Sequence, residues 1–210
     1  MCYARELSWL YFWQGDIKKA KKYGEEAFSL ATTIKNNYVI ALAKQRLGMI
    51  YQKQNKLQKA QTYLNEVLRI FVKLNEKTHI GDTFLYLGHV SKKMKHIKQA
   101  EKYYLKSYFR LKENKDHEGA AIALYYLGEV NLEENRLTKA EKFFRKSLLI
   151  DRLKNRRAGV AWATYGLGKV ELVRKDTTKA RKLFEKSKNL FQYLGMDYQV
   201  KIIGKKLLSL

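Results

Sequence analysis

The residues that could hold a metal or move a proton in this 210-residue chain are four histidines, one cysteine and scattered carboxylates. His79, His89, His96 and His117 do not stand four apart, the spacing at which two imidazoles share one helix face and one metal ion. Cys2 has no thiol companion. Glu133 and Glu134 are adjacent, so on a helix they diverge into a solvated pair instead of an acid/base dyad. No glycine-rich phosphate loop, G-x-S-x-G elbow or H-E-x-x-H segment occurs. Catalytic, cofactor-binding and metal-binding residues are therefore not expected. What remains is the chemistry of contact: 15 tyrosines, three tryptophans and 43 basic residues supply broad apolar surface with polar handles and directional donors.

Composition narrows what positions those side chains. At 46% hydrophobic and 13% aromatic the chain can bury a core, despite 30% charged residues. Proline is absent, and stretches rich in Lys, Leu, Ala, Glu and Arg favour helix over turn-rich β structure. One cysteine rules out an internal disulfide framework and fits a reducing compartment. No apolar run reaches the roughly 18 residues of a membrane span. The opening segment MCYARELSWLYFW carries Arg5 and Glu6 inside its apolar run and lacks a small-residue cleavage site, so it is a poor signal peptide. A cytoplasmic location is the expectation. The net charge of +23 favours anionic partners.

A period of forty residues organises the chain. Gly48, Gly88, Gly128 and Gly168 each follow a leucine, and Ala20, Ala60, Ala100, Ala140 and Ala180 recur at the same interval. A fixed period in this range marks a solenoid. The registers are 1–40, 41–80, 81–120, 121–160 and 161–200, within a single domain over 1–210, and 201–210 ends a closing helix. Inside one register, Ile122, Leu124, Tyr125, Leu127, Val130 and Leu132 recur at three- and four-residue steps, as an amphipathic helix requires. Asn135-Arg136 interrupts, with counterparts Gly15-Asp16, Asn55-Lys56, Lys95-His96 and Lys175-Asp176. A second helix follows, buried through Leu137, Ala140, Phe143, Phe144, Ser147, Leu148 and Ile150, and ends near Lys154-Asn155. Asn36-Asn37, Asn75, Asn114 and Gly195 are the matching ends. Helices approach to about 8–10 Å only where side chains are small. Gly128 and Ala140 are expected at that crossing, flanked by Leu127 and Phe144.

This pattern resembles the tetratricopeptide repeat, which places leucine-glycine on its first helix and alanine, aromatic and alanine on its second. The forty-residue spacing is similar to the long-helix variety found in cargo adaptors, cell-polarity scaffolds, peptide-sensing regulators and sensor regions of bacterial signalling ATPases. The chain departs from the family pattern at the first-helix tryptophan, replaced by Ala4, Lys44, Phe84, Leu124 and Thr164. The family tyrosine survives as Tyr11 and Tyr51, and Ser8 stands for the first glycine. The resemblance implies an all-α, right-handed superhelix of five antiparallel helix pairs plus a closing helix, with first helices lining a concave groove. Groove positions then fall on Arg5, Trp9, Phe12 and Trp13; Gln45, Arg46, Met49 and Lys53; Tyr86, His89, Lys92 and Lys93; Tyr125, Tyr126, Glu129 and Glu133; and Trp162, Tyr165 and Lys169. For Tyr125, Trp162 and Tyr165, and less strongly for Tyr86 and Tyr126, the competing expectation is that they fill seams between units. The terminal-carboxylate clamp of chaperone-binding members is not expected, because the pairs Arg5/Trp9, Gln45/Met49, Leu85/His89, Tyr125/Glu129 and Tyr165/Lys169 do not reproduce its lysine and asparagine.

The resemblance implies a non-enzymatic scaffold that recognises a protein or peptide. Two alternatives stand beside it: a basic nucleic-acid-associated adaptor, and the sensory region of a larger signalling protein. Each register carries an excess of two to six basic residues, so the charge is spread along the array. Much of it falls on second helices, at Lys19, Lys22, Lys59, Lys98, Lys102, Lys139, Lys142, Lys146, Lys179, Lys182 and Lys186, where aromatic interleaving for strand stacking does not occur. In the first helix, Leu7, Trp9, Leu10, Tyr11, Phe12 and Trp13 cover most of the circumference. That predicts a further contact there: a preceding domain, a second copy or a partner. At the other end Val200, Ile203, Leu207 and Leu208 alternate with Lys201, Lys205 and Lys206, as a closing helix should.

Overall fold

The computed structural model describes residues 2–210, and its described residues form eleven α-helices and no strand. They are α1 (Cys2–Gln14), α2 (Ile17–Thr33), α3 (Asn37–Lys53), α4 (Leu57–Lys73), α5 (Lys77–Lys93), α6 (Ile97–Glu113), α7 (His117–Glu133), α8 (Leu137–Leu153), α9 (Arg157–Val173), α10 (Thr177–Tyr193) and α11 (Asp197–Leu208). From α2 to α10 every helix has 17 residues. The forty-residue register is thus two nearly equal halves.

One backbone device repeats between them. Gly15, Lys35, Asn55, Asn75, Lys95, Lys115, Asn135, Asn155, Lys175 and Gly195 all take the left-handed conformation, with φ between 53° and 83°. Each such residue breaks its helix, and from Asn55 to Gly195 the next amide reaches back over the last turn. Lys56 N donates to Tyr51 O at 2.9 Å and Arg136 N to Asn131 O at 2.8 Å, closing the six-to-one bond of a Schellman motif. The following helix begins at once. Asp16, Asn36, Asp116 and Asp176 cap it by accepting from the amides of Lys19, Val39, Gly119 and Lys179. Two expected helix ends shift here. Lys35 and Lys115 break the helices that Asn36-Asn37 and Asn114 were expected to break. Asn36 caps the next helix instead, because its short amide reaches the Val39 N–H at 3.1 Å.

The recurring small residues are buried as the period requires. Ala20, Ala60, Ala100, Ala140 and Ala180 are all fully enclosed. The nearest neighbour of each recurring glycine is the large residue expected to flank the crossing. A methyl group added at Gly128 would lie 2.5 Å from the Phe144 ring, and one added at Gly88 2.5 Å from Tyr104. The glycine therefore makes room for the large residue sixteen places on, which lies flat on its backbone. In the first pair the sizes are exchanged: Ser8 carries the side chain, Gly24 is the small member, and the Ser8 hydroxyl donates to Ala20 O at 2.8 Å.

The chain forms two compact units, Met1–Arg110 and Leu111–Leu210. In the first, Phe12, Leu47, Ile50, Tyr51, Leu64, Leu87 and Val90 make one continuous core. In the second, Phe144, Leu167 and Val170 pack as one cluster and Phe184, Phe191 and Ile203 as another. Within the units α1 touches α3, α3 touches α5 and α7 touches α9, and α1, α3, α7 and α9 also pack on their own partners. Within each unit these first helices thereby build a layer of their own. No helix among the described residues is long and apolar enough to cross a membrane.

Candidate binding faces on the first helices

In the first unit the face is an aromatic cluster with a cation on it. Trp9 of α1 lies parallel to Phe12 at 5.9 Å and meets Trp13 edge-on at 5.1 Å. The Arg46 guanidinium of α3 is 3.6 Å from the Trp9 ring centroid, a close cation–π stack. Arg46 is half-buried, its Nε is sealed from water without a hydrogen-bond partner, and burial pulls its pKa down to about 10. Tyr86 of α5 belongs to the same electrostatic group: burial, then Asp82, push its hydroxyl up to about 12, so it remains a donor. Lys53 hangs over Phe12 at 5.7 Å, and the Lys93 ammonium donates to Gln52 O at 3.1 Å.

Other expected face residues of this unit are otherwise engaged. Arg5 forms an exposed ion pair with its neighbour Glu6 at 3.0 Å. Gln45 donates to Thr83 Oγ1 at 3.2 Å, tying α3 to α5. Met49 and Phe12 are buried in the core, so they support the face without presenting themselves on it. His89 turns Nδ1 inward to the Tyr104 hydroxyl at 2.9 Å, and burial, reinforced by Lys92 and Lys93, pushes its pKa down to about 3. It is a neutral, partly enclosed imidazole. Trp13, at 67% exposure, is the most open ring of the set. Around α1, Tyr3 and Leu10 are also exposed, while Trp9 and Tyr11 are half-covered.

In the second unit the corresponding face is neutralised internally. Glu129 of α7 and Lys169 of α9 form a half-buried ion pair, with Lys169 5.2 Å above the Tyr165 ring. Tyr126 stands edge-on to Tyr125 at 5.3 Å, and burial followed by Glu129 raises the pKa of both. Trp162 contacts Phe191 at 5.0 Å and Tyr125 at 5.9 Å, and it packs against the α10–α11 core, so it fills a seam. Glu133 is exposed at the end of α7. Lys206 of α11 is half-buried over Tyr165 and Phe184, while Leu208, expected on the packed side, is 90% exposed. The second-helix lysines are exposed, as a solvated outer surface requires.

One feature of the second unit was not anticipated. Asp151 is buried, accepts from Arg156 Nη1 at 2.9 Å, and lies 3.4 Å from the Ser147 hydroxyl. Arg156 Nη2 bonds Glu118 at 2.8 Å, so three helices meet at this point. Any side chain at Gly159 would collide with the Asp151 carboxylate. Burial outweighs Arg156 and holds the Asp151 pKa above the ordinary carboxylate value. A comparison of registers would have found it, because Ala31, Phe71, Leu111 and Phe191 occupy the same register position. Among the described residues no group of three His, Cys, Asp or Glu side chains could hold a metal ion.

Stacked helix hairpins of fixed length, with small-to-large contacts inside each pair, define a helical-repeat protein. Models of the tetratricopeptide repeat match residues 2–71, 38–113 and 96–158. The chain belongs to the tetratricopeptide repeat family. No curated protein matches it. Solved structures share the fold at low identity. BtubC from P. vanneervenii is 18% identical, with a TM-score of 0.75 over 90% of this chain and 78% of that one. A signal-transduction ATPase with numerous domains and a tetratricopeptide repeat sensor, from Pyrococcus horikoshii, is 18% identical with a TM-score of 0.82 over 95% of this chain. The Rap conjugation gene regulator of plasmid pLS20, solved with the Phr* peptide, is 16% identical with a TM-score of 0.79 over 92%. This chain spans 31% of the ATPase and 53% of the Rap regulator.

Proposed function

We propose that the chain is a cytoplasmic, non-catalytic binding module that takes a peptide or protein segment on the faces its first helices form within each unit. The observation that carries this reading is the first-unit cluster of Trp9, Trp13, Arg46 and Tyr86. It presents aromatic area, an arginine and a hydroxyl donor on helices that are already packed. Such groups are the usual anchors of interfaces, and a face that exists before binding avoids much of the ordering cost. The likeness to a regulator solved with a peptide supports the same reading at the level of fold. In the second unit Tyr126, Glu129 and Lys169 offer a smaller, charge-balanced face.

Selection from a random peptide library on the full chain tests this. Enriched peptides should lose affinity in Arg46→Ala or in Tyr126→Ala while helicity by circular dichroism is unchanged. If both variants bind every enriched peptide as the wild type does, the first-helix assignment is wrong.

A further inference from the structure

Among the described residues Arg46 forms no ion pair, although the charge of Glu6 acts on it. The other buried or half-buried arginines whose partners are defined hold carboxylates: Arg156 bonds Asp151 and Glu118, and Arg174 bonds Glu141 and Glu171. The half-buried lysines Lys44 and Lys169 likewise hold Glu66 and Glu129. Arg46 has Trp9 against one face, and among the described residues its Nε has no partner. The acid whose charge acts on it, Glu6, is paired with Arg5. Lys53 and Lys93, at the ends of α3 and α5, add positive charge, and among the described residues neither is paired with a carboxylate. The repeat itself does not require a cation here, since Glu6, Tyr86, Tyr126 and Gly166 occupy this register position in the other units.

Resting on the binding-module reading above, we infer that Arg46, stacked on Trp9, is the anchor for a side-chain carboxylate of an acidic peptide segment bound along α1, α3 and α5. A guanidinium presents a planar pair of donors that matches the two oxygens of a carboxylate. The stack fixes the plane of that fork before the ligand arrives. Partial desolvation strengthens the contact, because neither ion is fully solvated once the segment covers the site. The surrounding Trp9 and Trp13 rings and the protonated Tyr86 hydroxyl suit the stem and backbone of a peptide. A row of phosphates would instead need several evenly spaced cations near a backbone.

The test uses the full chain and an array of synthetic nonapeptides with mixed flanks and a central Glu, Asp, Gln or Asn. The proteins compared are wild type, Arg46→Met, Arg46→Lys and Lys142→Met. Lys142 is an exposed outer lysine, so the last variant removes the same charge elsewhere. Wild type should favour acidic over amide peptides by about tenfold to a hundredfold, the span of a charge-assisted hydrogen bond. Arg46→Met should abolish the preference, Arg46→Lys should keep part of it, and Lys142→Met should keep it all. The inference is overturned if the preference survives Arg46→Met in a protein of unchanged helicity. It is equally overturned if Lys142→Met erases the preference as fully, which would assign it to diffuse charge. A short ribo-oligonucleotide that alone loses affinity on Arg46→Met would reassign the site to nucleic acid. Peptides bound without acidic preference sink this inference and leave the binding module standing; no peptide binding at all sinks both.

Discussion

Substituting alanine for Gly128 is the sharpest test of how the repeat is held together. The added methyl would lie 2.5, 2.6 and 2.7 Å from three carbons of the Phe144 ring, well inside van der Waals contact. The ring cannot retreat, because a methyl on Gly166 would also lie 2.5 Å from it, so both glycine backbones already press on the ring. Overpacking of this kind costs about 1–3 kcal/mol. The pinned ring places this site at the upper end, near ~3 kcal/mol. Alanine recovers about 0.5–1 kcal/mol of helix preference over glycine. The net expectation is a loss of about 2 kcal/mol, or roughly 4–8 °C in melting temperature for a chain of this length.

Urea unfolding followed by circular dichroism reads this directly, with an unchanged m-value as the check that the array still unfolds over the same surface. Gly204→Ala is the matched control. It lies inside α11 with no atom within 4 Å of the new methyl, and should gain about 0.5–1 kcal/mol. Adding Phe144→Leu to Gly128→Ala should cost at least about 1 kcal/mol less than the sum of the two single changes. The natural precedent is Gly48 opposite Leu64, where the corresponding approach is a looser 3.0 Å. If Gly128→Ala proves as stable as wild type while Gly204→Ala gains, the close-approach account of the forty-residue period is wrong.

The left-handed lysines make a second prediction: Lys95→Gly should stabilise the chain by about 1 kcal/mol in the same assay, since a side chain pays about 1–2 kcal/mol for that conformation. Asn135→Gly should change little, because asparagine tolerates the same φ. Asp151 has a folded-state pKa raised above its unfolded value, so its contribution is complete below about pH 4 and is lost as pH rises through the folded pKa. The stability of Asp151→Asn relative to wild type should therefore increase from about pH 4 upward, and a flat difference would contradict the placement. For His89 the sign is opposite: its depressed pKa gives stability present above about pH 6.5 and lost as pH falls toward its folded pKa of about 3. The His89 imidazole resonance should not titrate between pH 7 and 4.5, and titration near 6.5 would show it is not enclosed.

Sequence reasoning reached the helix pairs because glycine and alanine are the residues that close approach demands, and their interval is visible without any structure. It placed the breaks at Gly15, Asn55 and Asn135, since glycine and asparagine have a known tolerance for the left-handed region. Lys95 and Lys175 were placed by their register, whereas Lys35 and Lys115 were missed because the adjacent asparagines Asn36 and Asn114 carry the stronger signature. The face was legible in which helices carry it and less so in which side chains reach it. Met49 sits at the register position of Trp9, Glu129 and Lys169, yet an unbranched apolar chain there gains more from the core than from water. Arg46 could be named from sequence as a face residue. That it forms no ion pair among the described residues, while Lys169 does, depends on distances between helices that one sequence does not contain.

The steric rule inside a pair also decides what the face displays. The residue that lies on the glycine is Leu64, Tyr104, Phe144 or Phe184, depending on the register. Where it is Tyr104, its hydroxyl reaches across to the first helix and holds His89 inward. Where it is Phe144 or Phe184 there is no hydroxyl to offer, and Glu129 and Lys169, at the same register position as His89, join each other along the first-helix layer. The core residue and the face residue thus vary together: His89 stands with Tyr104, Glu129 with Phe144 and Lys169 with Phe184. Core and face are therefore not independent in this repeat. Changing an enclosed aromatic by one hydroxyl should alter the hydrogen-bonding character of the binding face without moving a helix, because the ring volume, and with it the glycine contact, is nearly the same.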